Sequence, residues 1–337
     1  MEYIRYIIGQ YSDPSNMIMA VSFFIIGLVL LIKGGDWFVD GAVGIARRFR
    51  LPDIIVGATV VSIGTTLPEV MVSVTGAVNG QGAMAYGSAI GSIICNTALI
   101  AAVSVAVNPG AVNTKTMKMP VLFFFGAAAV FCAAAYLLGY FDRWLGILLL
   151  AVFAVYMVLT VRQGLKNPDA LAQADTEEKT APVWLELLRL AGGAALIAVG
   201  ADLLGNHGTF IAGRLGVPET VIALTFVALG TSLPELVTTG TSLRKGHASL
   251  GLGNVIGANV FNLVLVCGAS VTVAPFAVPE GKKLFGINES LVLTIQLMIA
   301  VMLLLTVPAL LRKKLSRWQG ILLLAIYAGF CIFQLAG

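Results

Sequence analysis

Glu69 and Glu235 are the two residues of this chain on which chemistry has to turn. Each lies near the middle of a long apolar run. Each also closes the same hexapeptide, Gly64-Thr65-Thr66-Leu67-Pro68-Glu69 and Gly230-Thr231-Ser232-Leu233-Pro234-Glu235. Carboxylates at such depth are costly in hydrocarbon and point to function. Neither 51–107 nor 215–243 contains a Lys or Arg, so no base on these segments neutralises them. Pro68 and Pro234 lack the N–H that would bond the carbonyls of Gly64 and Gly230, and neighbouring carbonyls such as those of Thr65 and Thr231 are loosened with them. Carbonyls freed inside a bilayer must be buried in protein or line a cavity. One such proline would be an ordinary kink; two at matched positions, each followed by Glu, mark a binding site.

The run after each glutamate adds small and amide residues: Gly87, Ser88, Gly91, Ser92 and Asn96, then Gly253, Asn254, Gly257, Ala258, Asn259 and Asn262. Gly-x-x-x-Gly spacing lets helices approach closely, but it does not account for Asn96 and Asn262 deep in their runs. Together these segments offer two carboxylates, the hydroxyls of Thr65, Thr66, Thr231, Ser232 and Ser92, two amide oxygens and freed carbonyls. An all-oxygen set with two negative charges suits Ca²⁺, which takes 6–8 oxygens, and Na⁺ equally. It fits Zn²⁺ or Cu⁺ poorly. Mg²⁺ surrenders its waters too reluctantly.

The elements that must position these residues are membrane helices. Hydrophobic residues make up 58% of the 337, charged residues 11%, and the mean hydropathy is +0.93, against about 25% charged in a soluble protein. Apolar runs fall at 17–40, 53–78, 84–107, 120–139 and 144–162, then at 184–206, 219–242, 249–273, 290–311 and 318–336. Each is long enough to cross a hydrocarbon core of about 30 Å. The offset that carries one hexapeptide onto the other also aligns 56–100 with 222–266, without a gap, at 14 identities in 45. The expectation is an all-α integral membrane fold of ten transmembrane helices. Residues 1–162 form a first five-helix repeat with its motif at about 56–100, 163–183 a cytoplasmic loop, and 184–337 a second repeat with its motif at about 222–266. Five spans per half is odd, so the second half enters from the opposite side and the repeat is inverted. The ten-span layout puts 15 Lys and Arg on one side and 5 on the other, with Lys33 inside the first run. The rich side is then cytoplasmic, in a cell (inner) membrane with both termini outside the cytoplasm. The first residues lack a basic stretch and a small-residue cleavage pattern, so no removed signal peptide is expected.

At these motifs the sequence resembles the cation/Ca²⁺ antiporter superfamily and, within it, the prokaryotic sodium/calcium exchangers. Their hallmark is a doubled G-T-[ST]-L-P-E followed by G-[SN]-x-x-G-[SA]-N-x-x-[ND]. The resemblance implies four cation sites between the second, third, seventh and eighth spans. A central Ca²⁺ site would use Glu69, Glu235 and the carbonyls of Thr65 and Thr231. A cytoplasmic-side Na⁺ site would use the Ser62 carbonyl with Thr66, Glu69 and Ser92, and an outer one the Ala228 carbonyl with Ser232 and Glu235. Asn96 and Asn262 would line the middle site, while the first and sixth spans slide past this core. Two residues depart from the pattern. Ala258 stands where many relatives have Ser, and Asn262 where some, including K⁺-dependent members, have an acid. Two carboxylates balance one Ca²⁺ or two Na⁺, whereas the family implies three Na⁺ per Ca²⁺.

The expected function is secondary active exchange of Ca²⁺ for Na⁺ by alternating access, with H⁺ or K⁺ coupling on the same scaffold and a cation channel as alternatives. An enzyme is not expected, because GxGD, HExxH and a mid-span His are lacking. The expected partners are Ca²⁺, Na⁺ and the bilayer, with no cofactor, nucleic acid or obligate protein partner. The four cysteines sit in apolar runs and predict neither disulfide nor zinc site. Asp36 and Asp202 read as solvated or capping residues near the ends of their spans, and His207 and His247 as solvent-facing loop residues. Trp144, Trp184 and Trp318 fit interface anchors. The acidic loop at 166–182 is too short for the Ca²⁺-sensing domains of eukaryotic relatives.

Overall fold

The computed structural model describes residues 17–49, 53–165, 181–215, 228–279, 283–284 and 286–336. Their architecture is helical, apart from three two-residue antiparallel strand pairs. Helix α1 is Met17–Arg48. Helix α2 covers 53–78, as Asp53–Val56, a π turn Gly57–Val61 and Ser62–Val78. Helix α3 covers 82–107, with a π turn Asn96–Ala101 in its middle. Helix α4 is Thr114–Ala133 continued by Ala134–Leu138, and α5 is Arg143–Leu165. The second half supplies α6 (Val183–Arg214), α7 (Ala228–Arg244) and α8 (248–273, with a π turn Asn262–Val266). It ends with α9 (290–312) and α10 (Arg317–Ala336).

Among the described residues, eight helices are individually long and apolar enough to cross a membrane. Gly57–Leu67 and Glu69–Val78, bent by 47° around Pro68, make a ninth when taken as one span. Most of the first part of the expected run 219–242 lies outside the described residues, and α7 covers the remainder. The faces turned outward suit lipid: Trp144, Leu148, Val155 and Val158 are exposed along α5.

The helix bounds repeat with the sequence. α1 and α6 begin and end at the offset that separates the two hexapeptides, as do Ser62–Val78 and Ala228–Arg244, and Gly82–Cys95 and Ala248–Phe261. The turns that follow α2 and α7 repeat in detail. Each ends on a glycine in the left-handed region, Gly80 at φ 75° and Gly246 at φ 84°. Past them Gln81 N donates to Gly76 O and His247 N to Ser242 O, both at 2.8 Å. These wrap-around bonds satisfy the last carbonyls of each helix, and only glycine adopts the required φ without steric cost.

α1 and α6 pack antiparallel along glycines. A Cβ on Gly34 would lie 2.9 Å from Gly193 O, one on Gly41 2.7 Å from Leu190 N, and one on Gly200 2.8 Å from Gly27 O. Falling numbers on α6 against rising numbers on α1 give the antiparallel sense. α2 and α8 lie as close, because a Cβ on Gly57 would be 2.8 Å from Asn254 N. Beside them is an apolar core in which Tyr86, Phe131 and Phe141 stack.

Three expectations need correction. α1 and α6 run well past the expected ends at 40 and 206, because Gly41–Ala46 stays buried against the start of α6. Asp36 is therefore inside a helix. It pairs with Arg244 and, at 3.7 Å, with Lys245, which also reaches Asp40 at 2.7 Å. These bases close α7, so they neutralise the acids without breaking α1. His207 is not a solvent-facing loop residue. It lies within α6, is buried, and stacks on Phe23 of α1 with ring centroids 5.1 Å apart. His247 is half-buried at the start of α8. The expected loop at 166–182 lies outside the described residues as far as 180.

Candidate functional site

Each glutamate directly follows the proline of its helix. Glu69 follows the bend in α2, and Glu235 follows Pro234 inside α7. Both carboxyl groups are fully buried, and a hydrogen bond from Thr66, on the turn before Glu69, to Glu235 joins their helices at this point. Thr66 Oγ1 donates to Glu235 Oε1 at 3.5 Å. Both oxygens of Glu69 and Oε2 of Glu235 have no hydrogen-bond partner among the described residues. Nor does either acid join an ion pair there, where the acids in ion pairs are Asp36, Asp40 and Glu186.

Asn96 and Asn262 each open a π turn, Asn96–Ala101 on α3 and Asn262–Val266 on α8. Such turns are rare and concentrate at functional sites. Both amides are fully buried, and both atoms of each lack a hydrogen-bond partner among the described residues. Buried polar atoms are normally paired, so four unpaired amide atoms and three unpaired carboxylate oxygens on matched helices form a coherent set.

The hydroxyls are divided between this set and the packing around it. Ser232 Oγ donates to Ser92 Oγ at 3.5 Å, joining α7 to α3. The hydrogen bonds thus join Ser92 to Ser232 and Thr66 to Glu235, across the grouping the family resemblance implies, in which Ser92 and Thr66 accompany Glu69. The side chains of Ser62 and Thr65 turn towards α8 instead. Ser62 Oγ donates to Gly57 O at 2.8 Å and Asn254 O at 3.0 Å, and Thr65 Oγ1 to Asn254 Oδ1 at 3.3 Å. Ala228 and Thr231 lie on the first turn of α7, and their side chains fall outside the described residues.

Sequence reasoning noticed Asn254 but assigned it nothing. It is buried between α2 and α7, and its Nδ2 donates to Thr238 Oγ1 at 2.9 Å. The signal available in the sequence was asymmetry, since the matching position of the first half is Ser88, a shorter side chain.

No cluster of three His, Cys, Asp or Glu side chains that could hold a metal ion occurs among the described residues. The arrangement is instead two acids surrounded by neutral oxygens. Buried anions without a base are strongly unfavourable unless a cation compensates them. Two carboxylates among neutral oxygens are a donor type suited to a hard cation.

Residues 19–162 and 185–336 match the family described as Sodium/calcium exchanger protein. An uncharacterised membrane protein of Methanocaldococcus jannaschii is 33% identical over 314 residues, covering 92% of this chain and 96% of that protein. The sodium/calcium exchanger MaX1 of Methanosarcina acetivorans is 31% identical over 357 residues, covering 93% and 98%. Among solved structures, the sodium-calcium exchanger NCX_Mj soaked with Na⁺ and Sr²⁺ superposes with a TM-score of 0.78 at 31% identity, over 93% of this chain and 98% of that one.

Proposed function

The chain belongs to the sodium/calcium exchanger protein family, and from that premise we propose that it exchanges Ca²⁺ for Na⁺ by alternating access at the Glu69–Glu235 site. Its named relatives are exchangers and antiporters rather than enzymes, and this chain is a membrane-embedded Ca²⁺ antiporter. One observation carries the finer reading. Two fully buried glutamates at repeat-related positions, three of their four carboxylate oxygens without a hydrogen-bond partner among the described residues, are matched by a repeat-related pair of buried asparagines whose amide atoms also lack one there.

Ca²⁺ is bound as cargo between the two carboxylates, with the Thr65 and Thr231 carbonyls freed by the prolines completing its shell. Na⁺ takes the flanking positions, where Thr66, Ser232 and Ser92 hydroxyls and the Ser62 and Ala228 carbonyls supply neutral oxygens. Asn96 and Asn262 line the middle of the site. Because like charges repel, the pair of glutamates is stable only when cations compensate it. Release of one cargo therefore favours binding of the other.

Residues 1–162 and 184–337 act as two inverted five-helix halves joined by 163–183. The antiparallel packing of α1 on its repeat mate α6 supports that reading. Inversion gives one site two access states, reached as α1 and α6 move against the α2, α3, α7 and α8 core. The excess of Lys and Arg at the ends of α1, α5, α7 and α9 supports a cytoplasmic location for those ends, with both termini outside, in the cell (inner) membrane.

The test is ⁴⁵Ca²⁺ uptake into proteoliposomes under separate opposed gradients of Na⁺, K⁺ and H⁺. Only the Na⁺ gradient should drive uptake, and Glu69→Gln and Glu235→Gln should each abolish it. Uptake driven by H⁺ or K⁺ alone would reassign the coupling ion. Downhill flux without a counter-ion would make the protein a channel, and normal transport by either variant would remove the site.

A further inference from the structure

Asn254 lies where two of the core helices touch. α8 meets the π turn of α2 so closely that a Cβ on Gly57 would sit 2.8 Å from Asn254 N. From that point the amide reaches both glutamate-bearing helices. On the α2 side its Oδ1 accepts from Thr65 Oγ1 at 3.3 Å, while its backbone carbonyl accepts from Ser62 Oγ at 3.0 Å. On the α7 side its Nδ2 donates to Thr238 Oγ1 at 2.9 Å. Thr238 Oγ1 in turn donates to Pro234 O at 2.8 Å, the carbonyl of the peptide that leads into Glu235. An unbroken chain of buried hydrogen bonds thus runs from Thr65, one helical turn before Glu69, to the Pro234–Glu235 peptide. Among the described residues the other half shows no equivalent. Ser88 holds the matching position on α3, and its Oγ has no partner among the described residues.

We propose that Asn254 is the positioning residue of the cation site, fixing the spacing between the Thr65 turn of α2 and the Pro234–Glu235 peptide of α7. It binds no cargo. Its amide is saturated by protein groups on both sides, and it is the spacing between carbonyl and carboxylate ligands that selects a cation by size. The same brace makes the two halves unequal, because the first half offers only a serine in its place.

This inference rests on the exchange reading above, and full-length protein in proteoliposomes separates the two. Asn254→Ser, which installs the residue of the other half, and Thr238→Val, which removes the relaying hydroxyl, should each raise the KM for Ca²⁺ about five- to tenfold, the range one buried hydrogen bond covers. The maximal rate should stay within about twofold, since a lost hydrogen bond on the binding side leaves the moving helices untouched. Thr238→Ser keeps the hydroxyl and should restore the wild-type KM. Asn254→Ser with Thr238→Val should be no worse than Asn254→Ser alone, because both remove the same link. Thermal midpoints in detergent identify any variant that fails to fold, and the Thr238→Val and Thr238→Ser comparison then decides alone. Equal KM values for those two, or independent effects in the double variant, would overturn the proposal. If Glu69→Gln and Glu235→Gln abolish exchange while every Asn254 and Thr238 variant keeps the wild-type KM, only the positioning role fails. If the glutamine variants transport normally, the exchange site itself fails.

Discussion

Asn96 and Asn262 hold the same place in their two helices, each opening a π turn with its amide fully buried and without a hydrogen-bond partner among the described residues. Their equivalence can be tested. Asn96→Ala and Asn262→Ala should each raise the KM for Ca²⁺ by about tenfold, the factor that corresponds to about 1.4 kcal/mol of lost ligand interaction. Concentration dependence of ⁴⁵Ca²⁺ uptake measures both, and an effect confined to one would show that the middle of the site leans on a single half. The identity of these residues was legible in the sequence, as was that of Glu69 and Glu235, because a polar side chain deep in an apolar run stands out locally. Which hydroxyl meets which acid was not. Ser92 is bonded to Ser232 and Thr66 to Glu235, since α3 of one half packs beside α7 of the other and helix rotation decides what faces inward.

At the scale of elements, two devices shape the core. One is the proline bend, which puts 47° between the two parts of α2. The other is close glycine packing, which lets α1 and α6 run side by side. A Cβ on Gly193 would lie 2.5 Å from Phe38 N, and one on Gly34 2.8 Å from Ile197 N. Gly193→Ala should therefore destabilise the protein by about 1–3 kcal/mol, the usual range for overpacking, and lower its thermal midpoint in detergent. Gly240, whose added Cβ would meet nothing within 4 Å, provides the control: Gly240→Ala should leave the midpoint unchanged or raise it. The apolar runs and the Gly-x-x-x-Gly spacing were readable along the chain. The true lengths of α1 and α6 were not, because charges at Asp36 and Asp40 looked like helix ends until their partners on α7 came into view.

Across the whole molecule, those ion pairs break the symmetry of the halves. Asp36 and Asp40 of α1 hold Arg244 and Lys245 at the end of α7. The corresponding positions of the repeat are Asp202 and Asn206 on α6, and Val78 and Asn79 at the end of α2. One end of the transporter carries this latch, and among the described residues the matching positions at the other end do not repeat it. Arg244 is well exposed, so the contribution to folding stability is small, about 0–1 kcal/mol. Asp36→Asn should accordingly shift the thermal midpoint little. If α1 slides against α7 during exchange, the same substitution should speed ⁴⁵Ca²⁺ exchange by up to about fivefold at low salt, and the difference from wild type should shrink as salt is raised. An unchanged rate at low salt would mean that the latch does not open during the cycle.

The repeat, the apolar runs, the two glutamates with their prolines and the oxygen-only donor set were all determined by the sequence itself. Their signal is local: an acid or a proline within a hydrophobic run carries its cost wherever the run packs, and a duplicated motif is visible without coordinates. Only the tertiary structure decided the partners. Ser62 pairs with Asn254 and Arg244 with Asp36, each across more than half the length of the chain. Such pairs depend on how closely and at what rotation two helices meet, which no spacing along one helix encodes. That is why Glu69 and Glu235 could be found as residues, while the amide that spaces their helices appeared only once α8 was packed against α2.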